Sequence, residues 1–498
     1  MKTLALFVLP ALLLIACRPE ISPGEGSEDF AAFLDQRVPV LLERYRVPGA
    51  VVGIIGPDEP TVFRAYGLAD LAARRPMAVD TVFRAESISK SATVRGVMRL
   101  VEEGELDLDR PVDSLFRKWS FPPSEYDTAS ITTGDILSNS AGLPLGTIGP
   151  AVEYAPGEVL PQLESFLTAE AVAIANPGES FIYSDAGYNL LQLLVEDILA
   201  EEEDGARTFD AYMEQAVLAP LGMDDSSFAW REEYIDRIAT AYESDGTPVA
   251  PYQYAAMPSG GLFSTLPDLC RFVAAGSLAG ETEPAGVLTR ESLKAIYRPR
   301  VEIPGLFGFV ADSYGYGHFI ETLPDGSRAV WHGGQGHGWM THFHLLPETG
   351  EGIVILTNSQ RSWPLLAELL TAWGEWTGHG APGFGVILPA TRILWGAILL
   401  LYGSAFILLV RSVGELRSGG RIAALRSSDR RDRTRRLLQA AGGAALIALV
   451  AWRASLPYVF ETSIFPTAIP WLAGALLTLG AVLLIGGTVA AATRDQTS

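Results

Sequence analysis

Residues 81–94 read TVFRAESISKSATV. The opening Thr-Val-Phe ends a strand-like run and the Ser-Ile-Ser-Lys-Ser-Ala stretch opens a helix, so Ser87 and Lys90, three residues apart, are placed on one helix face. A serine hydroxyl at its ordinary pKa is a poor nucleophile. An adjacent amine held neutral by its surroundings can take its proton, and among the cationic side chains only lysine does so at usable pH. The chain carries four lysines (Lys2, Lys90, Lys118, Lys294) against 33 arginines. Where positive charge alone is wanted, arginine is used, which makes a lysine at this spacing informative. A Ser-x-x-Lys tetrapeptide alone is a short motif, and a solvated helix face would explain it equally well.

Further stretches along the chain remove that ambiguity. After FRAESISKSATV come ITTGDILSNSAGLP, PGESFIYSDAGYNLL, PLGMDDSSF, PSGGLFSTLPDLCRF, YGYGHF, WHGGQGHG and GIVILTNS. In this order they resemble the landmarks of the penicillin-recognising serine hydrolases, in the branch that holds class C beta-lactamases, D-alanyl-D-alanine carboxypeptidases and related esterases. The resemblance runs from about Asp29 to Trp376. It implies an α+β fold of the serine beta-lactamase type, an antiparallel sheet flanked by helices with a helical insertion.

By that resemblance Ser87 is the acylated serine, Lys90 the proton-handling lysine and Tyr183 the tyrosine of a Tyr-x-Asn element. Asp185 stands where the family has asparagine, so an amide donor is replaced by a carboxylate acceptor. His332-Gly333-Gly334 occupies the place of the Lys-Thr-Gly triplet, a variant similar to that of family esterases and aminopeptidases. The backbone N–H groups of Ser87 and Gln335 are the implied oxyanion donors, with Asp185, His332, Gly333, Gly334 and Gln335 lining the substrate site. The glycines allow close approach of an edge strand to substrate backbone. A histidine in the triplet exchanges a fixed cation for a group whose free pKa is near ~6.5, so affinity for a substrate carboxylate is expected to vary with pH.

Other chemistries are weaker readings. His342 and His344, two apart on one strand face, form a possible metal pair, but no His-Glu-x-x-His or cysteine ligand accompanies them, and no metal or other cofactor is expected. A Ser-His-Asp hydrolase lacks its Gly-x-Ser-x-Gly elbow anywhere in the chain. Cys270 in DLCRFV reads as a buried small hydrophobe. With only Cys17 and Cys270, no disulfide scaffold forms.

The rest of the 498 residues determines where this chemistry sits. The formal charge of −21 argues against nucleic acid as partner. With 48% hydrophobic residues and a mean hydropathy of +0.21, part of the chain belongs in a membrane. MKTLALFVLPALLLIAC reads as an export signal over 1–17, similar to a bacterial lipoprotein signal that leaves Cys17 as a lipid-modified first residue, with 18–28 a tether. The hydrolase domain is expected over 29–378 and a Gly/Pro-rich linker over 379–392. Three transmembrane helices follow within 393–491, read as Ile393–Val410, Leu437–Trp452 extending to Phe460, and Trp471–Ala491. Between the first two, 411–436 holds nine arginines against Glu415, Asp429 and Asp432, a local +6 that keeps this loop cytoplasmic. The domain before Ile393 is then extracytoplasmic at a bacterial cell membrane. The expected function is an acyl-enzyme hydrolase acting on a small-molecule or peptidoglycan-type peptide substrate: a D-amino-acid peptide, an ester or a beta-lactam-like amide. The alternative is a weakly catalytic ligand-binding or sensing protein using the same site. Membrane lipid is the other expected partner, and the sequence leaves oligomeric state open.

Overall fold

The computed structural model describes residues 26–57, 59–200, 207–280, 286–418, 421–423, 430–456 and 460–491. Residues 1–17, expected to be an export signal ending at Cys17, lie outside the described residues. Contacts divide the chain into two units, one ending at Val386 and the other beginning at Ile387.

A nine-stranded sheet frames the first unit. Its strands are β1 (Gly49–Ile55), β2 (Val62–Asp70), β3 (Arg75–Pro76), β4 (Val301–Glu302), β5 (Ser313–Tyr314), β6 (Phe319–Thr322), β7 (Arg328–Gly336), β8 (Trp339–Leu345) and β9 (Gly352–Thr357), in the order β4-β5-β6-β7-β8-β9-β1-β2-β3. Neighbours pair antiparallel throughout, and the two ends of the unit meet where Val52 pairs with Ile355. GAVVGII, WMTHFHL and GIVILT are buried at every position. Burial at every position belongs to central strands covered on both faces, whereas β2 is buried only at Val62, Tyr66 and Ala69.

Helix α1 (Ser27–Tyr45) buries Phe30, Leu34, Val38, Leu41 and Leu42, a stripe at helical spacing, and ends at Arg46 in the left-handed conformation. It covers one face of the sheet together with α5 (Trp363–Trp376), reached through Phe30 and Trp376 rings 5.4 Å apart. The other face receives α2 (Ile88–Glu103) and α4 (Leu266–Ala274). Cys270 of α4 packs so closely on β1 that a Cβ at Gly53 would stand 2.2 Å from its sulfur. Burial pushes that thiol's pKa well up, so Cys270 is the inert apolar residue expected. Between β3 and β4 lies the helical insertion, which contains α3 (Asp185–Leu199).

The second unit contains α6 (Ile387–Arg417), α7 (Arg430–Ala454) and α8 (Ala468–Gly487). Each belongs to a segment long and apolar enough to cross a membrane. α8 packs on α7 where Gly443 and Gly480 let the backbones approach, and a Cβ at Gly443 would stand 2.5 Å from the Gly480 carbonyl oxygen. Two boundaries differ from expectation. The arginine-rich stretch from Arg430 to Arg436 is already helical, being the first two turns of α7. Residues 379–386 are not a free linker: His379 pairs with Asp325 and Glu351 and Phe384 is buried, so this segment packs within the first unit.

Candidate active site

Phe83–Arg84 pairs with Phe263–Ser264, and the Ala85 N–H bonds the Leu262 carbonyl, which fixes the chain entering α2. Glu86 then takes a left-handed backbone conformation at φ 51°, strained for a residue with a Cβ. Its carboxylate is over-determined. Oε1 accepts from Arg84 Nε at 2.8 Å and from the Tyr252 hydroxyl at 2.9 Å, while Oε2 accepts from the Tyr254 hydroxyl at 3.0 Å. Arg84 is itself buried and donates to the Tyr252 and Gly260 carbonyls, with both tyrosine rings 4.4 Å from its guanidinium. This network turns the chain so that Ser87 starts α2 facing outward. From Thr81 to Met98, Ser87 is the one residue that is not buried.

Behind Ser87 lies Lys90, wholly inaccessible to solvent. Its Nζ donates to Ser87 Oγ at 3.2 Å, to the Ser259 carbonyl at 2.9 Å and to Asp185 Oδ1. Burial works to lower the pKa of this amine, but the Asp185 carboxylate and Tyr183 outweigh it and the net direction is upward. The lysine at rest is therefore an ion-paired ammonium, unlike the neutral amine expected from the sequence. Tyr183 lies with its ring 4.8 Å from Nζ and its phenol beside Ser87 and Lys90. Burial raises its pKa, opposed by Lys90 and reinforced by Asp185, so the phenol is neutral.

Tyr183 and Asp185 reach this point through a loop organised by Asn139, whose Oδ1 accepts from the Ser184 N–H at 2.9 Å and whose carbonyl accepts from Ile182. Ser184 caps α3 by accepting from Gly187 N–H at 2.7 Å, which leaves Asp185 as the first helical residue. Its side chain remains 23% exposed beside Lys90, so it meets both the lysine and anything entering the site.

β7 closes the other side. A Cβ at Gly334 would stand 2.2 Å from the Ala85 carbonyl oxygen, and one at Gly336 2.3 Å from the Glu86 carboxyl carbon. These two glycines, rather than Gly333, let the strand pass directly against the Ala85–Ser87 turn. β6 pairs only with residues 328–331, so residues 332–336 carry an open edge on that side.

His332 departs from expectation. Its ring is buried, with Nδ1 on the Gly333 carbonyl at 2.8 Å and Nε2 on the Tyr314 hydroxyl at 3.1 Å. Burial and then the Lys90 charge hold its pKa well below the usual imidazole value. A neutral, doubly bonded ring replaces the imidazolium that was to meet a carboxylate. The structure thus brings Ser87, Lys90, Tyr183, Asp185, His332, Gly334 and Gln335 into one site, while Gly333 faces His342 behind the sheet. His342 and His344 bond each other at 2.7 Å and His344 bonds Glu321 at 2.6 Å. Among the described residues no group of three or more His, Cys, Asp or Glu is arranged to hold a metal ion.

Sequence reading missed Ser259, which acts through its carbonyl, and Tyr314, one aromatic among many. Neither leaves a local signal. The Arg84–Glu86 pair was missed as well, although two charges flanking Ala85 in a largely apolar segment were a signal for it.

A family profile described as Beta-lactamase matches residues 34–392. The chain is 26% identical over 360 residues to "Unguisins hydrolase ungD'" of Aspergillus campestris, covering 69% of this chain and 64% of that protein. It therefore spans under two thirds of that relative. It is also 26% identical over 381 residues to "Esterase EstB" of Burkholderia gladioli, covering 66% of this chain and 90% of that one. Among solved structures, the octameric penicillin-binding protein homologue from Pyrococcus abyssi superposes with a TM-score of 0.57 at 25% identity, over 70% of this chain and 78% of that one.

Proposed function

The chain belongs to the beta-lactamase family, and on that footing we propose that it is a membrane-tethered serine hydrolase forming an acyl-enzyme on Ser87 outside the cytoplasm. The observation that carries the reading is the partly accessible Ser87 hydroxyl bonded to the buried Lys90 ammonium, itself paired with Asp185.

Ser87 Oγ attacks the substrate carbonyl carbon while its proton passes to Lys90 Nζ, which yields another to Asp185. Charge is conserved, and the carboxylate holds the proton during acylation. The backbone N–H groups of Ser87 and Gln335 receive the developing oxyanion. Tyr183 donates its proton to the leaving alkoxide or amine and is reprotonated from Lys90, which recovers its own from Asp185. Water then attacks the acyl carbonyl and its proton returns along the same chain to Ser87.

The charges around Ser87 favour an uncharged acyl group. Lys90 commits its N–H groups to Ser87, Asp185 and Ser259, Arg84 commits its own to Glu86 and two carbonyls, and His332 is neutral. Among these residues no cation is offered to a carboxylate. Esters and amides without a carboxylate beside the scissile bond are the substrates this arrangement suits, ahead of penicillins and peptides ending in a free D-amino acid. Export through residues 1–17, lipidation of Cys17 and cytoplasmic placement of 411–436 complete the reading.

Covalent labelling by a fluorophosphonate tests it. Labelling should disappear in Ser87→Ala and persist in Ser89→Ala and Ser91→Ala, whose hydroxyls are buried and already bonded to Leu262 N–H and the Gly317 carbonyl. Labelling that survives Ser87→Ala overturns the assignment. Multiple turnover of a chromogenic ester separates an enzyme from a sensor, which would acylate once and stop.

A further inference from the structure

Residues 333–336 read Gly-Gly-Gln-Gly, so Gln335 is the one side chain by which the protein can hold this open-edged half of β7 from behind. Gln335 Oε1 accepts from the indole N–H of Trp363 at 3.0 Å. The Trp363 ring in turn lies flat on Phe384, with centroids 5.0 Å apart and planes 8° apart. Phe384 is 1% exposed and stands edge-on to Trp331 at 5.0 Å and to His342 at 4.7 Å, both on the rear of the same strand pair. One residue earlier, the Gly383 N–H donates to Glu321 Oε2 at 2.7 Å, while Glu321 Oε1 meets His344 at 2.6 Å. A Cβ at Gly383 would stand 2.8 Å from Val310 Cα, so the segment is seated with no room to spare. Val386 then leads directly into α6, the first candidate span.

We propose that Phe384 and Trp363 are positioning residues for the oxyanion site: the segment Gly383–Val386, at the root of the first membrane helix, fixes the Gln335 backbone N–H through the Trp363–Gln335 hydrogen bond. This rests on the reading of Ser87 as nucleophile and of the Gln335 N–H as an oxyanion donor. The front of the strand is limited by the Gly334 contact with Ala85, which prevents closer approach and does not prevent recoil. The rear contact resists recoil. Losing one oxyanion donor outright lowers kcat by about 10² to 10³, and a donor only displaced retains part of its effect.

The test uses the full chain in detergent micelles with a p-nitrophenyl ester and its thiono counterpart, in which sulfur replaces the carbonyl oxygen and hydrogen-bonds weakly. Trp363→Phe keeps the stacked ring and removes only the N–H, and Phe384→Ala removes the support. Both should lower kcat for the oxygen ester by about tenfold with KM within about twofold, and leave the thiono ester nearly unchanged, so the oxygen-to-sulfur rate ratio collapses. Thermal unfolding in the same micelles identifies any general loss of fold, which would depress both esters together. An unchanged ratio, whether both rates fall or neither does, overturns the proposal. A Ser87→Ala variant that still turns over the oxygen ester overturns the site reading instead, and is a separate result from the ratio.

Discussion

Asp185 and Lys90 form an ion pair directly behind Ser87, with the lysine fully buried and the carboxylate 23% exposed. A buried ammonium is stable only with such a partner, and the same partner denies Lys90 the neutral form in which it would take a proton by itself. Charge balance and proton transfer are therefore one problem at this site.

Asp185→Asn preserves shape and removes the proton acceptor. Acylation of Ser87 by a chromogenic ester at neutral pH should fall by about a hundredfold, within the usual range for loss of a general base. The variant should regain rate as pH rises, because Lys90 without its counter-ion deprotonates more readily and can then serve as the base. Rapid-mixing measurement of the acylation burst reads both effects, and a burst within threefold of the parent at neutral pH would remove Asp185 from the proton path.

His332 should not titrate in the working range. Its folded pKa lies well below ~6.5 because it is buried beside Lys90, so a carboxylate-bearing ester and a neutral ester should show parallel pH profiles of KM between about pH 5.5 and 8. A carboxylate-specific rise in KM through the histidine range would show an imidazolium in contact with substrate.

Stability should decline on mild acidification. His318, held down to about 3 by burial, and His332 and His342, held well below their usual value, stay neutral in the fold. Unfolded, each binds a proton below ~6.5, so stability is present above that pH and is lost as pH falls through 6 toward 5, by up to about 1.4 kcal/mol per histidine per pH unit. Denaturant midpoints at pH 7 and 5 measure the slope, and His332→Gln should lessen it.

Glu86→Ala leaves the Arg84 guanidinium buried without its partner, a change that costs about 3 to 5 kcal/mol. It also frees the turn that presents Ser87. Lower thermal stability should accompany slowed phosphonate labelling, and unchanged values of both would make the pair dispensable.

Topology is tested with an impermeant thiol reagent in intact cells, with Cys17 and Cys270 controlled in parallel. Cysteines placed at Ser418 and Ser498 should be shielded and one at Ser180 should react. Strong labelling at Ser418 would put the hydrolase domain in the cytoplasm.

Ser-x-x-Lys spacing, the ordered landmarks around it and the three long apolar runs were legible in the linear sequence, because local periodicity and motif order are properties of the chain itself. What the tertiary structure alone decided is the ionisation and support of the site. Lys90 is an ammonium because Asp185, 95 positions away, lies against it. His332 is neutral because folding buries its ring beside the charge of Lys90, 242 positions earlier in the chain. Residues 379–386, a Gly/Pro-rich linker by composition, pack instead because Phe384 finds Trp363, Trp331 and His342 behind the sheet. Charge state and packing depend on distances between residues remote in the chain, and those distances exist only after folding.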